Sequence, residues 1–191
     1  VTSSQPTAVG VGVLDASVAP TTSFSVEVQQ LARAQSTSSS AVTAGAGFKA
    51  GTLSLQLGSW TTPASGAPVF AAGSAASISV SVQEGDSLST IASKINTAGA
   101  GVTATVLKDL SGERLLLRSS STGEASGFRM QVQSEGSGSG QDLGQLAFDD
   151  AAPGQGMAAN PVQYGRNAQA TINGVAVSAA SVSASSNGMS P

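Results

Sequence analysis

Apolar residues alternate with small or polar residues along most of the chain, and this period of two predicts β-strands. Phe24, Val26 and Val28 share one face and polar residues share the other, which is typical of an antiparallel strand with one buried face. The pattern recurs often enough to predict about seven to nine strands. The other alternating sets are Val9, Val11 and Val13; Leu53, Leu55 and Leu57; Ile78, Val80 and Val82; Val102, Ala104 and Val106; Phe128, Met130 and Val132; and Ala168, Ala170 and Ile172.

Turn signals divide this pattern into hairpins and loops. Asp109-Leu110-Ser111-Gly112 precedes a returning strand over residues 114–119. Asn173-Gly174 lies between two alternating runs, and this dipeptide is the strongest short-range signal of a tight hairpin. Four stretches rich in Gly, Ser, Ala or Pro are predicted as loops or linkers. They are residues 36–46, 61–74, 134–140 and 151–161.

One stretch follows a helical period instead. Asp86 or Ser87 can cap its start by accepting a hydrogen bond from a free backbone N–H, and Gly99 lies where the helix should stop. The sequence therefore predicts an amphipathic helix over about residues 87–98 and leaves a second, short helix open at residues 143–148. The fold class is mainly β with one or two helices. The apolar helical face, at positions i, i+3, i+4 and i+7, consists of Leu88, Ile91, Ala92 and Ile95.

The composition narrows the possible partners. Charged residues make up only 10% of the chain, against about 25% in an average globular protein, and aromatic residues make up 4%. The net charge is −3, and the eight Lys and Arg residues form no basic stripe. The sequence therefore disfavours nucleic-acid binding and electrostatic membrane binding. No apolar run approaches the roughly 20 residues that span a bilayer, so no membrane insertion is expected.

The chain contains neither His nor Cys. This excludes a Ser-His-Asp triad, a Cys nucleophile, a zinc finger and a disulfide scaffold. The eleven acidic residues are the remaining candidates for chemistry, and an enzyme that uses carboxylates alone, such as a glycosidase, stays open as an alternative.

None of these acids has the spacing of a known site. Asp149 and Asp150 are adjacent, and Glu84 and Asp86 flank a glycine before the predicted helix, where they favour the helix dipole. The loops near Asp142 and Asp149 offer oxygens to calcium, but without EF-hand spacing. The prediction is therefore that the chain is not an enzyme and has no catalytic, cofactor-binding or metal site, and no cofactor.

Residues 82–96 resemble the first half of a LysM domain, a family that binds peptidoglycan or chitin. A LysM domain continues into a second helix, whereas here Gly99-Ala100-Gly101 leads directly into the strand predicted at Val102. A carbohydrate-binding module is the alternative function that this resemblance implies.

A second resemblance covers most of the chain. Residues 23–36, Ser-Phe-Ser-Val-Glu-Val-Gln-Gln-Leu-Ala-Arg-Ala-Gln-Ser, resemble the signature of flagellar filament-capping proteins, the hook-associated protein 2 family. In that signature a strand of the form Tyr-Ser-Val-x-Val runs into Gln-Leu-Ala-x-Ala-Gln-Ser. Weaker pieces follow in the order of the family, and that order makes the match more specific than a generic β-rich secreted domain. They are residues 51–53, 86–88, 95–96, 101–106, 112–117, 168–175 and 185–187.

This resemblance implies a head of two β-rich domains, one inserted into the other. Residues 1–44 and 163–191 would form the discontinuous domain, and residues 45–162 would form the inserted domain with the helix. The coiled-coil legs of the family have no counterpart here, because no heptad pattern appears.

The resemblance also implies a function without catalysis. Such proteins cap the distal end of the bacterial flagellar filament as a ring, pentamer-like in the family, and promote flagellin folding and insertion. The expected partners are flagellin and further copies of the protein, with weak self-association of this fragment alone. The expected location is extracellular, at the filament tip, and some members of the family are adhesins.

Overall fold

The computed structural model describes residues 25–136, 138–151 and 154–180. The strand predicted at Val9, Val11 and Val13 and the motif at residues 185–187 lie outside these ranges. The described residues form ten strands and one α-helix, which confirms the mainly β fold class. The strands are β1 (Val26–Gln30), β2 (Ser36–Ser38), β3 (Gly51–Thr61), β4 (Val69–Ala72), β5 (Ile78–Val82), β6 (Val102–Asp109), β7 (Gly112–Ser119), β8 (Gly127–Ser134), β9 (Ala168–Ile172) and β10 (Val175–Ala179).

The helix α1 (Leu88–Ala98) lies between β5 and β6. Ser87 is its N-cap, and its side chain accepts a hydrogen bond from the backbone N–H of Thr90. Gly99 ends the helix in the left-handed conformation, with φ of 63°, which glycine adopts without steric cost. The predicted helix is therefore confirmed, and all four residues of its apolar face are buried. No helix in the described ranges is long and apolar enough to cross a membrane.

Three antiparallel sheets organise the strands. Strand β3 is the centre of a four-stranded sheet, with β8 along one edge and with β5 and β4 along the other. The second sheet has the order β2-β7-β6 and contains the predicted hairpin at Asp109–Gly112. The third has the order β1-β9-β10. At its hairpin Asn173 and Gly174 have φ of 49° and 84°, as a tight two-residue turn requires.

The main core lies between α1 and the first two sheets. Alternate residues of β3 point into it, so Leu53 and Leu55 are buried while their neighbours are half-buried. Three phenylalanines, Phe48, Phe128 and Phe148, are fully buried in the same cluster. The other three described aromatic residues, Trp60, Phe70 and Tyr164, are half-buried.

Two strands lie where the sequence predicts loops. Strand β2 falls within residues 36–46, because its backbone pairs with β7 and not because of apolar alternation. Strand β4 falls within residues 61–74 and pairs with the far end of β3. A single 3₁₀ turn, Leu143–Leu146, takes the place of the possible second helix.

The chain crosses between the third sheet and the remaining structure at two neighbouring points. Arg33 pairs with Arg166 and Ser36 pairs with Gln163, both antiparallel. We call residues 33–36 and 163–166 the two crossings. The division into residues 1–44 with 163–191 and residues 45–162 stays a prediction.

Candidate interaction surface

The acidic residues before α1 have structural partners. Asp86 forms an ion pair with Lys94 and accepts a hydrogen bond from the Gln83 N–H at 2.8 Å. Burial by itself raises the pKa of Asp86, but the hydrogen bonds from Lys94 and Gln83 and the Lys94 charge hold the pKa below its ordinary value. Glu84 accepts hydrogen bonds from the backbone N–H and hydroxyl of Ser139, at 2.9 and 3.1 Å.

The predicted dipole-capping role of Glu84 and Asp86 is therefore wrong in its detail. Their carboxylates bind Ser139, Gln83 and Lys94, while the Ser87 hydroxyl caps the helix. Both acids precede the N-cap Ser87, and neither lies in the first helical turn.

Asp149 and Asp150 are adjacent in the sequence but lie in different environments. Asp149 lies 3.7 Å from the Arg129 guanidinium, whereas Asp150 is buried. Burial first, and then the charge of Asp149, raise the pKa of Asp150. Asp142 accepts a hydrogen bond from the Gly144 N–H at 2.8 Å and so fixes its own turn.

These acids do not converge on one point. In the part of the chain that the structure describes, no group of three acidic side chains is placed to hold a metal ion. The absence of catalytic, cofactor and metal sites stays a prediction.

The fold does not support a LysM-type carbohydrate site. Only three residues separate α1 from β6, and the described ranges contain no second α-helix. Residues 82–96 are a strand-to-helix junction whose apolar side chains serve the core.

A buried polar contact that the sequence did not reveal lies beside the first crossing. The side chain of Gln35 is fully buried. Its Nε2 donates to the carbonyl of Phe128 at 3.0 Å, and its Oε1 accepts from the Phe128 N–H at 3.1 Å. The Trp60 Nε1 donates to the same carbonyl at 2.9 Å. The Gln35 amide thus satisfies the backbone of Phe128 on the edge of β8 that faces away from β3.

The exposed apolar residues identify two surface features. The tip of the β6–β7 hairpin presents Leu110 fully to solvent between two ion pairs, Lys108–Glu113 and Arg114–Asp109. Near the third sheet, Val28, Leu31 and Val175 are 39%, 71% and 64% exposed. Val69 and Leu107 are also exposed. The rest of the described surface is formed mostly by small and polar residues, so these apolar positions are candidates for protein contacts.

Comparison with known proteins agrees with this architecture. Residues 70–121, from β4 to the end of β7, match the family described as the flagellin hook IN motif. The chain is 35% identical over 169 residues to the B-type flagellar hook-associated protein 2 of Pseudomonas aeruginosa, covering 85% of this chain and 33% of that protein. The chain thus spans about a third of the length of this curated relative.

Two solved structures have the same fold. The D1-D2-D3 domains of the flagellar cap protein FliD from Escherichia coli superpose with a TM-score of 0.65 at 27% identity, over 86% of this chain and 45% of that one. The D2-D3 domains of the flagellar cap protein from Serratia marcescens superpose with a TM-score of 0.64 at 26% identity, over 92% and 87% of the two chains.

The fold is therefore that of domains of flagellar cap proteins. The relative found by sequence is a flagellar hook-associated protein 2, and the two solved structures are flagellar cap proteins. The chain belongs to the flagellar hook-associated protein 2 family, the flagellar cap proteins, and corresponds to the head part of those proteins.

Proposed function

We propose that the protein containing this chain caps the distal end of the flagellar filament as a structural, non-enzymatic ring. One observation carries the proposal. The similarity to flagellar cap proteins extends over 85% of the chain in sequence and 92% in structure. The proposed location is extracellular, at the filament tip.

The proposed partners are flagellin, which folds and inserts beneath the cap, and further copies of the protein in a pentamer-like ring. A cap that admits subunits one after another needs contacts that break readily. The described surface, with few large apolar side chains exposed, supports such weak contacts, because affinity depends on a few buried aromatic and Arg anchors. Nucleic acid and membrane are not proposed as partners, and the adhesin role stays a prediction.

Deletion and complementation in the source organism test the proposal. Deleting the gene is expected to abolish filaments and to release unpolymerised flagellin into the medium, and the full-length protein is expected to restore filaments and motility. Ile91→Asp places a charge in the core and should fail to restore them, while Ser93→Ala on the exposed side of α1 should restore them fully. Normal filaments in the deletion strain would contradict the proposal.

A further inference from the structure

Two arginines face each other where the chain crosses between the sheets. The Arg33 N–H donates to the Arg166 carbonyl and the Arg166 N–H donates to the Arg33 carbonyl, both at 3.0 Å. In such an antiparallel pair the two side chains leave the same face, with their Cβ atoms about 4.5–5.5 Å apart. The backbone therefore places the Cβ atoms of two arginines side by side, with Arg33 half-buried and Arg166 exposed.

No carboxylate neutralises this arginine pair within the described ranges. The four ion pairs found there use Lys94, Lys108, Arg114 and Arg129 instead. The Nε of Arg33 is buried without a hydrogen-bond partner, although nearly all buried polar groups in proteins have one. Like charges directly opposite each other destabilise a strand pair, so this arrangement costs stability until an anion binds.

The chemistry beside the pair is that of a protein contact. Leu31, which is 71% exposed, lies two residues before Arg33. Arginine beside exposed apolar side chains is typical of the energetic centre of an interface. Because a guanidinium fork binds a carboxylate through two parallel hydrogen bonds, a carboxylate is the group that two neighbouring arginines fit best.

A second copy of the protein carries the complementary groups. Acidic residues outnumber Lys and Arg by eleven to eight. Five of them are exposed and take no part in the four described ion pairs, namely Glu27, Glu84, Glu124, Glu135 and Asp142. We propose that the arginine pair, Arg33 with Arg166, binds a carboxylate of a neighbouring copy in the assembled cap. This inference rests on the proposed function, because it presupposes that the protein assembles.

The test compares full-length proteins by sedimentation velocity over a range of concentration and salt. Arg33→Gln with Arg166→Gln is expected to raise the dissociation constant of the assembly about tenfold or more. The variant should also lose part of the salt dependence of the wild type, since salt screens the contact. Arg118→Gln is the matched control. It makes the same change at an exposed arginine of β7 outside the described ion pairs, and it should leave assembly within about twofold of wild type.

Denaturant unfolding distinguishes a carboxylate of a neighbouring copy from a carboxylate of the same chain. The Glu124 N–H bonds to the side chain of Asn167 at 3.0 Å, so Glu124 lies near Arg166. In dilute full-length protein the Arg166→Gln variant should unfold at the same or a higher denaturant concentration than wild type, because a like charge is removed. If Arg166→Gln and Glu124→Gln both lower that concentration, the carboxylate belongs to the same chain and the proposal is overturned.

The two proposals fail in different ways. If the wild type forms no oligomer and the deletion strain grows normal filaments, the cap function fails. If the wild type assembles and the arginine variant assembles equally well, the cap function stands and only the arginine contact is overturned.

Discussion

At the scale of single residues, the amide of Gln35 takes the place of a strand partner beside β8. On one edge Phe128 pairs with Leu57 of β3, and on the other its N–H and carbonyl bind the Gln35 side chain. The motif around Gln35 was visible in the sequence, but its burial was not. A glutamine is buried only where distant backbone groups satisfy it, and Phe128 lies 93 residues away.

Gln35→Ala is expected to destabilise the chain by about 2–4 kcal/mol, because it leaves the buried Phe128 N–H without a partner and opens a cavity. Chemical denaturation at neutral pH measures this directly. Gln29→Ala, at an exposed position, is the control and should change stability by less than about 0.5 kcal/mol. Equal effects of the two substitutions would show that the amide contact contributes little.

Asp86 and Asp150 should give opposite pH dependences. The lowered pKa of Asp86 stabilises the fold above the unfolded-state pKa of about 3.9, and this contribution is lost as the pH falls through the folded-state pKa. Asp86→Asn should therefore destabilise at pH 7 and converge with wild type in strong acid. The raised pKa of Asp150 means that ionisation costs stability, so Asp150→Asn should stabilise at pH 7 and converge below about pH 3.9. Denaturation series from pH 2 to pH 8 compare the variants, and parallel curves would contradict the assignment.

At the scale of elements, local signals determined which strands and helices could be predicted. Helix α1 and the β9–β10 hairpin depend on nearby residues, a cap, an apolar face and an Asn-Gly turn, and both are confirmed. Strand β4 pairs with the neighbouring end of β3 across the loop of residues 62–68, whereas strand β2 depends on a distant partner. Ser36–Ser38 becomes a strand only because β7 lies beside it, and no pattern in its own sequence contains that information.

Two substitutions test the contribution of α1. Ile91 is fully buried, so Ile91→Ala should cost about 2–5 kcal/mol, including the cavity left behind. Ser87→Ala removes the N-cap and should cost about 0.5–2 kcal/mol, with Ser93→Ala, at an exposed position of α1, as control. Urea denaturation followed by circular dichroism gives all three values, and a harmless Ile91→Ala would contradict the described core.

At the scale of the whole molecule, the solvent exposure of the loops gives a different first site of proteolytic cleavage from the one that the sequence predicts. The sequence predicts cleavage within residues 36–46, 134–140 or 151–161. The first of these contains Thr37, Ser39 and Val42, all buried, whereas residues 62–67, between β3 and β4, are all exposed.

Limited proteolysis with a protease of broad specificity should therefore cleave residues 62–67 before residues 36–42, because cleavage requires an accessible and locally unfolded segment. Mass spectrometry of the first fragments identifies the site. Early cleavage at residues 36–42 would mean that the pairing of β2 with β7 opens readily in solution.

The isolated 191-residue chain is expected to be monomeric or weakly associating at micromolar concentration. A stable interface usually buries about 1,200–2,000 Å², and small polar side chains covering that area leave little net affinity after the costs of association. The proposed arginine contact becomes effective when other parts of the full-length protein hold neighbours together at high effective concentration. Sedimentation velocity decides the matter, and a tight discrete oligomer of the chain alone would contradict this model of assembly.

The pairing of β1 with β9 also sets the order in which the chain can fold. Ser25 and Asn173, which are bonded across the end of this pair, lie 148 residues apart in the sequence, and contacts of such separation form slowly because a large loop must close first. The hairpin of β9 and β10 needs no such closure. During translation β1 is therefore synthesised long before β9. The valines of β1 stay unpaired until the central core has formed and has brought the two crossings close together. Among the described strands, β1 is thus synthesised first and paired late.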